Sequence, residues 1–146
     1  MYCKNMDQRL KILVVDDELP VRESFKMILS IKDYDVFTFP DGPSAIASLD
    51  TEKYDVAFVD LKLKDMDGIE VLKGIKAKDP TVEVIIVTAY ATESSHANAI
   101  TLGALEYLRK PFLMEEIYEL VERARKRREE RAKRKAGPPK PPPEIH

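Results

Sequence analysis

Apolar and polar positions fall in alternating blocks along this chain. Residues 11–15, 55–59, 83–87 and 105–108 are short, nearly continuous apolar runs, and 34–39 alternates apolar with polar. Short apolar runs bounded by turn-forming residues predict buried strands. Near-continuous apolar character is expected where both faces of a sheet are covered. Between the runs, apolar residues recur at helical spacing. Val21, Phe25, Ile28 and Leu29 follow Pro20, a residue that the first turn of a helix tolerates. Asp41-Gly42-Pro43 predicts a turn, with a short helix through Ala45, Ile46 and Leu49 behind it. Ile69, Leu72 and Ile75 predict a helix after Gly68 that ends at Asp79-Pro80. A weaker helix is predicted over 93–102, stopped by Gly103. Leu113, Ile117, Leu120, Val121 and Ala124 define the apolar face of a last helix.

Strand and helix thus alternate five times. That order predicts an α/β fold of parallel strands joined by right-handed crossovers, with helices on both faces. Open sheets of this kind bind ligands at the carboxyl ends of their strands. Chemically useful groups stand at four such ends. The first strand runs into Asp16-Asp17, the third into Asp60, the fourth into Thr88, and the fifth through Arg109 into Lys110-Pro111.

Charge sharpens the picture. The net charge is −2, but residues 122–146 carry ten Lys and Arg against four Asp and Glu, a balance of +6 that leaves −8 on the rest. Three carboxylates in one crevice repel one another, so either some are protonated or a cation sits among Asp16, Asp17 and Asp60. Oxygen ligands favour Mg²⁺, which shares its shell readily with phosphate. Phosphoryl transfer asks mainly for positioning and charge neutralisation. Asp60 is placed to act as nucleophile, Lys110 to pair with a phosphate oxygen, and Thr88 to donate a hydroxyl. Cys3 is the single cysteine, so no internal disulfide forms and a reducing cytoplasm is expected. The sequence shows neither a signal peptide nor an apolar run of membrane-spanning length. His96 and His146 stand apart from any second ligand at metal spacing.

Residues 7–125 resemble the receiver domain of two-component response regulators. The resemblance rests on Val14-Val15-Asp16-Asp17-Glu18, Val59-Asp60-Leu61 with Asp67-Gly68, Val87-Thr88-Ala89, and Glu106-Tyr107-Leu108-Arg109-Lys110-Pro111-Phe112. It implies a flavodoxin-like, doubly wound sheet of strand order 2-1-3-4-5 with five helices. It also implies a signalling switch that catalyses its own phosphorylation and dephosphorylation. Asp60 then accepts the phosphoryl group from a histidine kinase or phosphotransfer protein. Asp17 and Asp60 ligate Mg²⁺ directly, Asp16 acts through water, and Lys62 lends its backbone carbonyl. Thr88 and Tyr107 form the switch pair, and Lys110 contacts the phosphate beside a cis bond to Pro111. Lys62 and Tyr90 flank the phosphoryl group and, being bulky, imply a long-lived phosphorylated state. Lys64 departs from the proline common in the family, which implies a looser loop. The implied partners are an output protein or domain, or a second copy in a phosphorylation-dependent homodimer. The alternative is a receiver fragment of a larger DNA-binding transcriptional regulator.

Two rival readings fit the residues less well. An aspartyl-nucleophile hydrolase usually has a second acid two residues past the nucleophile, where this chain has Lys62. A nucleic-acid grip in the basic tail conflicts with its composition, since residues 123–135 are only Arg, Lys, Glu and Ala, with no aromatic residue for stacking. The tail, 126–146, is instead expected to be a solvated helical extension followed by a proline-rich tail or linker. Its expected supports are the i,i+4 pairs Glu119–Arg123, Glu122–Lys126, Glu129–Lys133 and Glu130–Arg134.

Overall fold

A computed structural model of the chain describes residues 9–89 and 92–135, apart from the side chains of residues 93–95 and 135. Cys3, Tyr90, the prolines at 138–143 and His146 lie outside the described residues. The elements run β1 (Lys11–Val15), α1 (Leu19–Ile31), β2 (Asp35–Phe39), α2 (Gly42–Ser48), β3 (Val56–Asp60), α3 (Gly68–Lys78), β4 (Glu83–Thr88), α4 (Glu93–Thr101), β5 (Ala104–Arg109) and α5 (Met114–Lys135). All strand pairs are parallel and the sheet order is β2-β1-β3-β4-β5. This is the doubly wound architecture expected from the alternation.

The period-2 geometry of the strands divides the core in two. Ile12, Val14, Val56, Phe58, Ile85 and Val87 pack with α1 and α5 on one face. Leu13, Val15, Ala57, Val59, Val84 and Ile86 pack with α2, α3 and α4 on the other. β1, β3 and β4 are buried along nearly their whole length, which is why they read as unbroken apolar runs. β5 carries an irregularity: Val84 faces Ala104 whereas Ile85 faces Glu106, so one extra residue is inserted. A bulge of this kind turns subsequent side chains to the opposite face. Leu105 and Leu108 therefore join the α1/α5 core, while Ala104 and Tyr107 lie on the α4 side.

Two local expectations change. Gly42 and Pro43 are not a turn but the first residues of α2, with Asp41 as the cap whose carboxylate accepts from the Ser44 N–H at 2.8 Å. The charged end of α5 is not solvated all round. Arg127, Arg128 and Arg131 reach back to the amino edge of the sheet, where Glu83 is fully buried and Asp55 nearly so. Arg131 Nη2 lies 3.1 Å and Arg127 Nε 3.6 Å from Glu83 Oε2. Arg128 Nη2 lies 3.2 Å from Asp55 Oδ1, and its Nη1 donates to the carbonyls of Thr81 and Asp55. In three of the four expected i,i+4 pairs one member takes a different partner. Arg125 pairs with Glu122 and Glu129, and Arg123 with Glu106. Arg127, Arg128 and Arg131 thus follow the buried carboxylates, while Arg125 keeps to its helical neighbours.

Candidate functional site

The carboxyl edge of the sheet collects the groups on which the sequence argument rests. β1 ends in Asp16, whose N–H donates to the Phe39 carbonyl at 3.1 Å, so the chain leaves the sheet in a fixed direction. Asp16 is 1% exposed, and its Oδ1 accepts from the Glu18 N–H at 2.9 Å. Arg22 on α1 clamps the Asp16 carbonyl at 2.8 Å. Asp17 accepts from the Lys64 N–H at 3.1 Å, which ties the β1–α1 loop to the β3–α3 loop.

Asp60 is the last residue of β3 and is 6% exposed. The N–H of Leu61 donates to the Val87 carbonyl at 2.8 Å, extending the sheet ladder by one bond beyond the acid. Asp60 Oδ1 accepts from the Lys62 N–H at 3.2 Å. Beneath it α3 begins, capped by Asp67, whose carboxylate accepts from the Ile69 N–H at 2.9 Å. Gly68 donates to the Leu61 carbonyl at 2.8 Å. A Cβ at Gly68 would collide with the Asp60 carbonyl oxygen and lie 2.6 Å from Leu61 Cα, so only glycine lets the helix start this close to the acid.

Lys110 completes the cluster from the other side of the crevice. Its N–H donates to the Thr88 carbonyl at 2.8 Å, and the Lys110-Pro111 bond is cis. Its ammonium sits 3.0 Å from Asp16 Oδ2 and 3.4 Å from Asp60 Oδ2, bridging acids from two strands. Phe112, following the proline, stacks on Phe25 at 4.8 Å and anchors the loop to the core. Thr88 closes β4 at 1% exposure. Tyr107 lies one strand further along, paired in register with Ile86. Its hydroxyl is buried, with no hydrogen-bond partner among the described residues.

Electrostatics follow from this packing. Burial, and next the charge of Asp16, push the Asp60 carboxyl up to about 6, against the opposing pull of the Lys62 N–H and Lys110. Lys110 is held above its ordinary value: burial acts to lower it, but its hydrogen bond to Asp16 and the charges of Asp16 and Asp60 prevail. Asp16, Asp17 and Glu18 offer oxygens within 4.8 Å of one another, a donor set for a hard divalent cation. Asp60 is joined to that set through Lys110. Glu18 was not expected as a ligand, although its place as the third consecutive acid after an apolar strand made it legible in the sequence. Among the described residues, no helix is long and apolar enough to cross a membrane.

Comparison with known proteins agrees with this geometry. A family model described as the response regulator receiver domain matches residues 12–122. The chemotaxis protein CheY of Listeria monocytogenes is 35% identical over 118 residues, spanning 80% of this chain and 99% of that protein. The DNA-binding transcriptional regulator NtrC of Salmonella typhimurium is 37% identical over 117 residues, 80% of this chain but only 25% of the relative. Relatives therefore include both stand-alone receivers and receivers within longer regulators. A CheY-like receiver domain protein from Methanospirillum hungatei superposes with a TM-score of 0.81 at 28% identity, covering 85% of this chain and 99% of that structure. A buried acid ending the third strand, an acidic pair ending the first, and a lysine bridging them from the fifth are thus accompanied by family-wide similarity in sequence and fold: the chain belongs to the response regulator receiver domains of two-component signalling.

Proposed function

We propose that Asp60 is the phosphoacceptor, supplied by a phosphohistidine on a histidine kinase or phosphotransfer protein. The observation that carries this reading is the position of Lys110, whose ammonium bridges Asp16 and Asp60 at 3.0 and 3.4 Å. An Asp60 oxygen attacks phosphorus, the P–N bond breaks, and the departing imidazole takes up a proton. Lys110 pairs with an oxygen of the arriving group as its bond to Asp60 is displaced. Thr88 offers its hydroxyl to another oxygen. Dephosphorylation is the same displacement with water as nucleophile, returning a carboxylate and inorganic phosphate.

The acidic group of Asp16, Asp17 and Glu18 suits Mg²⁺, and we assign Asp17 and Asp60 as its direct ligands, with Asp16 through water and the Lys62 carbonyl as a further oxygen. Bound there, it supplies charge neutralisation to the transferred oxygens. The raised Asp60 value gives a test. A carboxyl whose folded value lies above its unfolded one stabilises the fold below the unfolded value, near 3.8, and loses that contribution as pH rises through about 6. The gap corresponds to about 2–3 kcal/mol. A cation offsets the penalty only where Asp60 is ionised. Thermal melts should therefore show Mg²⁺ raising Tm clearly near neutral pH and little near pH 4.5. An equal rise at both would remove the metal from Asp60.

The output is a switch of the face formed by α4, β5 and α5. Thr88 moves toward the phosphoryl group and the Tyr107 ring takes up the space it leaves. Receiver coupling of this kind is on the order of 1–3 kcal/mol. Beryllium fluoride with Mg²⁺, used as a phosphoryl mimic, should change hydrogen exchange over residues 93–109. In Thr88→Ala that change should vanish even at concentrations of the mimic that occupy the site fully. An undiminished response in Thr88→Ala would end the switch assignment. The partners under this reading are a histidine kinase and an output protein or domain in the cytoplasm, without direct nucleic-acid contact through this domain. The output partner can also be a second copy. We also place the end of the receiver unit beyond residue 125, because Arg127, Arg128 and Arg131 bind acids of the sheet.

A further inference from the structure

The Tyr107 hydroxyl is buried without a hydrogen-bond partner among the described residues, and such a group calls for a physical reason. Its ring is held from one side by His96 on α4, with centroids 5.0 Å apart and planes at 44°. His96 is in turn tied to the strand that carries the tyrosine: its Nε2 lies 2.8 Å from Glu106 Oε1. The same carboxylate oxygen accepts from the Tyr107 N–H at 2.9 Å. The other oxygen of Glu106 faces Arg123 Nη1 on α5 at 3.7 Å. One carboxylate thus links α4, β5 and α5 beside the switch residue. The inserted residue in β5 brings Glu106 and Tyr107 into this arrangement.

We propose that His96 is a positioning residue of the switch, latching α4 to β5 and α5 through Glu106 and holding the Tyr107 ring in its buried place. The inference rests on the switch role given to Tyr107 above. The charged groups that face His96 among the described residues are Glu106 from β5 and, through it, Arg123 from α5. His96 and Glu106 side chains are 45% and 31% exposed, so both exchange protons with solvent. A protonated imidazole gains a charge pair with Glu106 and a cation over the Tyr107 ring. Acid therefore tightens the latch until Glu106 itself takes up a proton. Burial works to raise Glu106, but the Tyr107 N–H, His96 and Arg123 hold it below the ordinary carboxylate range, so its charge is available to the latch. By reciprocity, whatever favours the buried ring also favours the phosphoryl group.

The test uses the full chain labelled with meta-fluorotyrosine at its six tyrosines. The Tyr107 fluorine resonance is identified by its loss in Tyr107→Phe. In wild type the ratio of buried to outward ring should be about two- to five-fold higher near pH 5.5 than near pH 8, the range expected for a half-exposed ion pair. His96→Gln retains a polar side chain but cannot titrate, so its ratio should stay flat with pH, near the wild-type value at the alkaline end. His96→Ala should shift the ring outward at both pH values. A wild-type resonance that ignores pH, or a pH response that survives in His96→Gln, overturns the latch. Beryllium fluoride with Mg²⁺ separates this from the reading beneath it. A resonance that follows the mimic but not pH overturns the latch alone. One that titrates through His96 but ignores the mimic overturns the switch role of Tyr107, and the latch's role in switching with it.

Discussion

Replacing Asp60 by asparagine should abolish phosphoryl incorporation while leaving the fold intact. The carboxamide has nearly the shape of the acid but lacks a nucleophilic oxyanion. Incubation with Mg²⁺ and a small acyl phosphate should add one phosphoryl group to the wild-type chain, labile to base as an acyl phosphate is. Intact-mass measurement on Asp60→Asn should show none. Stability should not fall. Asp60 is buried, and its charge is opposed by that burial and by Asp16. A neutral side chain removes the penalty, and Lys110 keeps its 3.0 Å partner in Asp16. Tm near neutral pH without metal is therefore expected to match or exceed wild type. Wild-type labelling in Asp60→Asn would transfer the acceptor role to another residue. A collapse of Tm would mean that the Asp60 charge holds the crevice together rather than straining it.

Cutting the chain after residue 125 should cost far more than removing a solvated helix end. The truncation deletes Arg127, Arg128 and Arg131, the partners of Glu83 and Asp55, which are 0% and 6% exposed in the intact chain. Removing one side of a buried ion pair costs about 3–5 kcal/mol, because the remaining charge has lost its compensation. A melting temperature lower by about 10 °C or more is expected for a domain of this size. Truncation after residue 135 should be nearly neutral. Glu83→Gln placed in the shorter chain should recover part of the loss, since it removes the stranded charge. A shorter chain as stable as the longer one would show that water replaces the arginines without penalty. The receiver unit would then end at residue 125.

The sequence alone was sufficient for the element order, the parallel sheet and the identity of the groups at its carboxyl edge. The reason is local. Strands covered on both faces must be apolar along their length, so β1, β3 and β4 stand out as blocks, and each block stops at the polar residue it delivers. Gly68 and Gly103 were also legible, as a helix start and a helix stop. Gly103 takes a φ of 103°, a conformation that side chains other than glycine rarely adopt.

What depends on contacts distant in sequence was not legible. Period-2 reading would put Leu105 and Tyr107 on one face of β5, and the inserted residue separates them. Nothing in the local pattern announces that insertion, because it is set by pairing with β4. His96 carried no signal either, since its partner Glu106 is ten residues away and reached only when α4 folds over the sheet edge. The basic end of α5 read as a solvated rod because helical periodicity registers apolar faces, and this face docks through charge. Its partners, Asp55 and Glu83, are 73 and 48 residues distant along the chain for Arg128 and Arg131. The sequence names the polar groups gathered at the carboxyl edge of the sheet; the tertiary structure alone decides which side chains surround Tyr107 and where the last helix docks, because both depend on charges that meet only across the fold.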